Sequence, residues 1–175
     1  MKFLRIGLMA LALAAGPVSS ALAAGPWAHL YFGAGYDDPN DKTGTQSGAV
    51  MLGFGGGGWA PFASTGGRYD FIASMRIRPR VTGEVTFDGD YFLGGGLSFE
   101  VHLWSPVFLE AGFQPGFYVR DGSLYLPQFR SHGGIGINLG NRYTLGLFVN
   151  HKSNGKLGRE DSSVETALIR FGWAY

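Results

Sequence analysis

The chain has 175 residues, of which 30 are Gly, with 4 Trp, 8 Tyr and 14 Phe but only 14 Lys plus Arg and 13 Asp plus Glu. A chain so aromatic and so sparsely charged is not disordered, and one so interrupted by Gly is not a helical bundle. Without Cys it has neither a disulfide framework nor a thiolate metal site, and a formal charge of +1 offers no electrostatic footprint for nucleic acid.

The first segment reads as a leader rather than as structure. Lys2 and Arg5 form a basic n-region, Ile6 to Ala15 an apolar h-region, and Ala21-Leu22-Ala23 a small-residue cleavage signal. The apolar stretch is shorter than the roughly 20 residues that a spanning helix needs, and Gly16-Pro17 breaks it. Residues 1–23 are therefore expected to be a signal peptide, and 24–175 one exported domain.

Beyond the leader the dominant signal is alternation, which marks strands. In chain order, strands are expected near 27–37, 69–78, 81–87, 91–103, 107–119, 129–139, 143–153 and 163–175. Residues 47–66 are expected to lie in a long first outer loop. A ninth strand built on Ala49-Val50-Met51-Leu52 would put the two termini on opposite sides. Arg78-Pro79-Arg80, Trp104-Ser105-Pro106 and Gly140-Asn141-Arg142 read as short turns on one side, and the polar stretches 120–128 and 154–162 as longer connections on the other.

Within the strands one face is large and apolar, the other Gly or polar. Leu93, Leu97, Phe99 and Val101 interleave with Gly94, Gly96, Ser98, Glu100 and His102. Leu109, Ala111 and Phe113 interleave with Glu110, Gly112 and Gln114; Ile135, Ile137 and Leu139 with Gly134, Gly136 and Asn138. Leu145, Leu147 and Val149 interleave with Thr144, Gly146 and Asn150, and Ala167, Ile169, Phe171 and Trp173 with Thr166, Arg170 and Gly172. Phe148 and Leu168 break the rule on the second face.

A water-soluble sandwich also alternates, so three further features decide. The polar faces are rich in Gly, as the crowded interior of a small closed barrel requires. Trp27, Tyr69, Tyr91, Trp104, Trp173 and Tyr175 cluster at strand ends, where interfacial aromatic girdles belong. The chain also ends in an alternating strand with a terminal aromatic, which resembles the C-terminal signature of bacterial outer-membrane barrels. The expected fold is all-β, an eight-stranded antiparallel transmembrane β-barrel in the outer membrane.

The chemistry concentrates in the hairpin formed by 143–153 and 163–175. His151 and Ser153 share the parity of Leu145, Leu147 and Val149, and Glu165 shares that of Ala167 and Ile169, so all three continue the lipid-facing stripe. Pairing Ser153 with Ser163 across the loop sets His151 opposite Glu165. Directly opposed residues have Cβ atoms about 5 Å apart, close enough for a carboxylate to hold an imidazole. Ser153 lies roughly 6.6 Å along the strand, at about 3.3 Å per residue. A serine, an imidazole and a carboxylate in this order are the nucleophile, base and orienting group of acyl-transfer hydrolases.

His151-x-Ser153-Asn154 at the end of a penultimate strand, with Glu165 twelve residues after the serine, resembles the PagL-type lipid A 3-O-deacylases. The resemblance implies an eight-stranded outer-membrane barrel that hydrolyses the acyl ester at the 3-position of lipid A. It makes Ser153 the nucleophile, His151 the base and Glu165 the residue that orients His151. Asn154 matches the motif's asparagine and is an oxyanion candidate, with the backbone N–H of Gly155 beside it. Lys152, Lys156 and Arg159 are candidate contacts for lipid A phosphates. Weaker similarity runs upstream through Pro106 to Gly112 and Phe129 to Gly140. Gly155 stands where the family usually has Ala, and Asp161 and Ser163 stand where it usually has Asn and Gly. The implied partners are lipid A or lipopolysaccharide as substrate and outer-membrane lipid; a homodimer is compatible with this reading. No cofactor or metal is expected.

Other features carry less. Gly55-Gly56-Gly57-Gly58 lacks the Lys-Ser/Thr of a phosphate loop and reads as a flexible connection. His29, His102 and His132 fall on interior faces without metal-ligand spacing, where hydrogen bonds to Glu100, Glu110, Arg130 or Arg170 are expected. Two competing readings of the whole chain stand beside the enzyme. One is a structural or adhesion barrel that binds through loops 38–66 and 120–128; the other is a relative that keeps the fold without the activity.

Overall fold

A strand that alternates along its whole length buries only one face, and eight such strands close on themselves in a ring. The computed structural model describes residues 29–37, 47–61, 75–155, 157 and 163–174; the expected leader, Trp27, Tyr69 and Tyr175 fall outside these. The strands are β1 (His29–Asp37), β2 (Ser47–Gly55), β3 (Arg76–Thr86), β4 (Tyr91–Trp104), β5 (Val107–Arg120), β6 (Ser123–Leu139), β7 (Tyr143–Ser153) and β8 (Val164–Ala174). Each pairs antiparallel with its neighbours in sequence, and β1 pairs with β8 to close the barrel. Closure removes every sheet edge, which is what a strand in hydrocarbon needs.

The alternation sorts side chains as the sequence indicates. Phe32, Val81, Leu97, Phe113, Leu147 and Ile169 are exposed on the outer wall. The lumen is filled instead by charge: Arg78, Arg80, Arg130, Arg170, Glu84, Glu100 and Glu110 are all buried. A soluble protein does not expose an apolar belt around a charged interior, so the outer wall faces lipid.

Room inside eight strands is short, and Gly supplies it. A Cβ on Gly136 would lie 2.4 Å from the Phe108 ring, and one on Gly134 2.3 Å from both the Leu147 carbonyl and the Phe148 ring. Phe148 and Leu168, the two exceptions to the polar face, join Tyr31, Met51 and Phe108 in an apolar cluster inside the barrel. The Arg170 guanidinium lies 3.5 Å from the Phe148 ring centroid, so this cluster also seats a charge. The interior histidines pair largely as expected: His132 Nε2 is 2.9 Å from Glu110 and His102 Nε2 is 3.1 Å from Glu100. His29 instead accepts from Arg78 at 2.8 Å.

Three expectations are corrected. Residues 47–55 form β2 and not part of a loop, because Ser47, Ala49 and Met51 turn inward while Val50, Leu52 and Phe54 turn outward. Of the strand expected near 69–78, residues 69–74 lie outside the described residues, while 76–78 are continuous with the strand expected near 81–87, since β3 runs straight through Arg78-Pro79-Arg80. Arg78 and Arg80 point into the lumen, where they find carboxylates. Pro79 is tolerated because its ring nitrogen falls in the Gly56–Gly58 interruption between the Gly55↔Arg80 and Trp59↔Ile77 pairs. Merging one pair and adding β2 leaves the count at eight. Finally, 120–128 is not a long connection: β5 and β6 continue to a tight turn at Asp121-Gly122, with φ of 50° and 74°. Two successive left-handed residues give the hairpin turn that matches strand twist.

Candidate active site

β7 ends at Ser153 and β8 begins at Val164, so the site sits where the last hairpin leaves the barrel wall. His151 pairs directly with Glu165. Both side chains lie on the outer face, each 45% exposed, with His151 Nδ1 3.9 Å from Glu165 Oε1. That separation is within ion-pair reach but longer than the 2.7–3.2 Å of a direct hydrogen bond, and catalytic contacts commonly tighten when substrate arrives. Because Nδ1 is the nitrogen paired with Glu165, Nε2 is left for a neighbour farther along the strand. Ser153 occupies that position on the same face.

One side of Ser153 is apolar. It pairs across β6 with Phe129, whose ring stacks on Phe113 with centroids 5.5 Å apart. Gly155 follows at φ 61°, a left-handed backbone that glycine adopts without the Cβ strain other residues carry. Space is not the constraint there, since an added Cβ would only touch the Phe129 ring at 3.8 Å. Asn154 is buried, and its carbonyl accepts from Leu157 N at 3.1 Å.

Lys152 is a correction. It was expected at the rim, in contact with phosphate, but its parity turns it inward, 1% exposed, with Nζ 2.6 Å from Glu84 and 2.9 Å from Asp37. A residue between two outward-facing ones on a strand must face the lumen. Lys156, Arg159 and Asp161 lie outside the described residues.

Sequence reasoning missed Ser131. It stands opposite His151 on β6, on the same outer face, with its hydroxyl 3.5 Å from the His151 carbonyl. The parity of Phe129 and Ile135 carried the signal. Also missed was the outer groove beside the site, with a volume of about 1120 Å³. One row along the barrel from Ser131–His151–Glu165, the exterior residues are Gly133, Val149 and Ala167, with Tyr36 next. Gly133 and Ala167 are small, and the groove that this row lines is also lined by Ile135, Leu147 and Ile169.

An apolar wall around a closed, charge-plugged lumen defines an outer-membrane β-barrel, and this one carries a serine, an imidazole and a carboxylate on its lipid-facing rim. Residues 19–174 match the family model of the lipid A 3-O-deacylase PagL, and the chain belongs to that family of outer-membrane lipid A deacylases. The crystal structure of the outer membrane enzyme PagL is similar in fold, with a TM-score of 0.60 at 17% identity, covering 82% of this chain and 97% of that one. A de novo designed transmembrane β-barrel follows at 0.55 and 12%, covering 86% and 96%. Neisserial surface protein A is similar at 0.53 and 12%, covering 84% and 96%. At these identities the structural likeness speaks for the fold alone. No curated protein sequence matches the chain.

Proposed function

We propose that this chain is an esterase that removes the 3-O-linked acyl chain of lipid A, with Ser153 as nucleophile, His151 as base and Glu165 as its orienting partner. The observation that carries the reading is the His151↔Glu165 pair on the lipid-facing wall, one row from an apolar groove. A soluble substrate has no reason to be met there, whereas a membrane lipid lies alongside.

In this reading the acyl chain lies in the groove over Gly133, Val149 and Ala167, and its ester reaches the row of Ser153 and His151. His151 Nε2 takes the Ser153 proton as Oγ bonds to the ester carbonyl carbon. Asn154 and the Gly155 N–H are the candidate donors to the oxyanion. Collapse of the tetrahedral species breaks the bond to the sugar oxygen, which takes the proton from His151. Water, deprotonated in turn by His151, then releases the fatty acid from Ser153. Glu165 holds the ring with Nδ1 protonated and balances the charge of the imidazolium. Lys156 and Arg159, which follow the site in sequence, remain candidates for the phosphates of lipid A.

The test is direct. Refolded protein is incubated with lipid A, and the lipid is read by mass spectrometry beside Ser153→Ala. The wild type is expected to remove one acyl chain from the 3-position; identical lipid from both would sink the reading.

The groove yields a second expectation. A Cβ on Gly133 meets nothing within 4 Å, so a larger side chain there extends into open space without disturbing the wall. Gly133→Phe is expected to fold normally and to lose about 10-fold or more in activity on long-chain lipid A. Hydrolysis of a short-chain ester should fall much less. An equal fall on both substrates would remove the acyl chain from the groove.

A further inference from the structure

Strand alternation places three inward residues immediately around the outward pair: Asn150 and Lys152 on either side of His151, and Thr166 next to Glu165. All three converge on one carboxylate from the opposite wall. Glu84 Oε1 accepts from Lys152 Nζ at 2.6 Å and lies 2.9 Å from Thr166 Oγ1, while Oε2 accepts from Asn150 Nδ2 at 3.2 Å. Arg130 on β6 adds its Nε at 3.5 Å from Oε2. Asp37 at the end of β1 reinforces the grip, with Lys152 Nζ at 2.9 Å and Thr166 Oγ1 at 2.6 Å from Oδ1. Thr166 has one proton for two carboxylates, and Lys152 supplies the charge between them.

We infer that Glu84 is a positioning residue for the His151–Glu165 pair, holding β7 and β8 in register from inside the barrel through Asn150, Lys152 and Thr166. The need for such a clamp follows from the site's place in the fold. His151, Ser153 and Glu165 lie in the last residues of β7 and the first of β8, where a hairpin frays into its loop. A two-residue slip there moves His151 along Glu165 by roughly 6.6 Å, and a one-residue slip turns it into the lumen. Glu84 is 2% exposed, and its bonds to Asn150, Lys152 and Thr166 join the paired residues Asn150↔Thr166 to the adjacent Lys152↔Val164 pair. This role rests on the catalytic reading of the outer pair.

The experiment compares wild type, Glu84→Gln, Glu84→Leu and Glu110→Gln, all refolded as the full chain. Glu110 is an equally buried lumenal carboxylate that grips Arg80, His132 and Arg170 instead. Acyl release from lipid A gives kcat and KM, and amide hydrogen exchange gives the opening of 150–153 and 164–166. Glu84→Gln is expected to lower kcat about 10-fold and Glu84→Leu about 100-fold, the scale of an ångström-sized misplacement. KM should stay within about twofold, and exchange should rise in those two segments first. Glu110→Gln should keep its kcat within about twofold of wild type even where its stability falls. Unchanged kcat in both Glu84 variants, with an active wild type, overturns the positioning role and leaves the catalytic reading standing. If the wild type itself releases no acyl chain, that reading fails, and exchange alone decides the clamp: faster opening at 150–153 and 164–166 upholds it, and unchanged exchange overturns it.

Discussion

Ser153→Ala is expected to lower acyl release from lipid A by at least about 10³-fold while leaving the barrel folded. The size follows from what the hydroxyl does in the proposed chemistry. Without Oγ no acyl-enzyme forms, and only direct attack by water, assisted by His151 and the oxyanion donors, remains. The fold should not notice, because Ser153 is half-buried at the outer end of β7 and its truncation opens no cavity. A second readout separates lost chemistry from lost lipid binding. A fluorophosphonate probe should label the wild type at Ser153 and leave the variant unlabelled, while both bind lipid A to the same extent. Activity within tenfold of wild type would move the nucleophile elsewhere, with Ser131 across from His151 the first place to look.

Glu110→Leu should have the largest effect on stability, about 3–5 kcal/mol. Glu110 receives two guanidinium forks. Arg170 donates at 2.7 Å and 2.6 Å, and Arg80 donates to the same two oxygens, the second at 3.0 Å. His132 adds a third partner. Removing the carboxylate leaves two buried cations close together beside Tyr31, whose ring centroid is 4.1 Å from Arg80 Cζ and 4.8 Å from Arg170 Cζ. The aromatic face offsets a fraction of that cost. Denaturant unfolding of the barrel in detergent, followed by the loss of β-sheet signal, reads the shift in midpoint. Glu110→Gln, which keeps the shape and two polar atoms, should shift it less. An unchanged midpoint in Glu110→Leu would mean that water already screens these charges and that the lumen is not a closed ion network.

The parts of the site that were legible are those that depend on neighbours in sequence. Parity alone put His151, Ser153 and Glu165 on the outer face, and one loop length opposed His151 to Glu165, as the strand pairing has it. Where Gly and Pro interrupt the pattern, reading by periodicity failed. β2 carries Gly48, Gly53 and Gly55 and so looks like a loop, and β3 holds Pro79 at its centre and so looks like two strands. The same blindness hid the groove. Gly133, Val149 and Ala167 are unremarkable in their own strands and line one groove only when three strands set them side by side.

By itself, then, the amino-acid order determined that this is a closed barrel with a lipid-facing skin, and that one hairpin carries a histidine and a glutamate opposed on that skin, with a serine two residues along the same face. Period-two alternation and hairpin register are local properties, set within about a dozen residues. Only the tertiary structure decided what stands behind that hairpin. Glu84 reaches Asn150 and Lys152 from 66 and 68 positions away, and Lys152, which its charge alone would send to the rim, turns inward to meet it. Closure of the ring brings those groups together, because side chains on opposite walls of a narrow cylinder share one small interior whatever their separation along the chain.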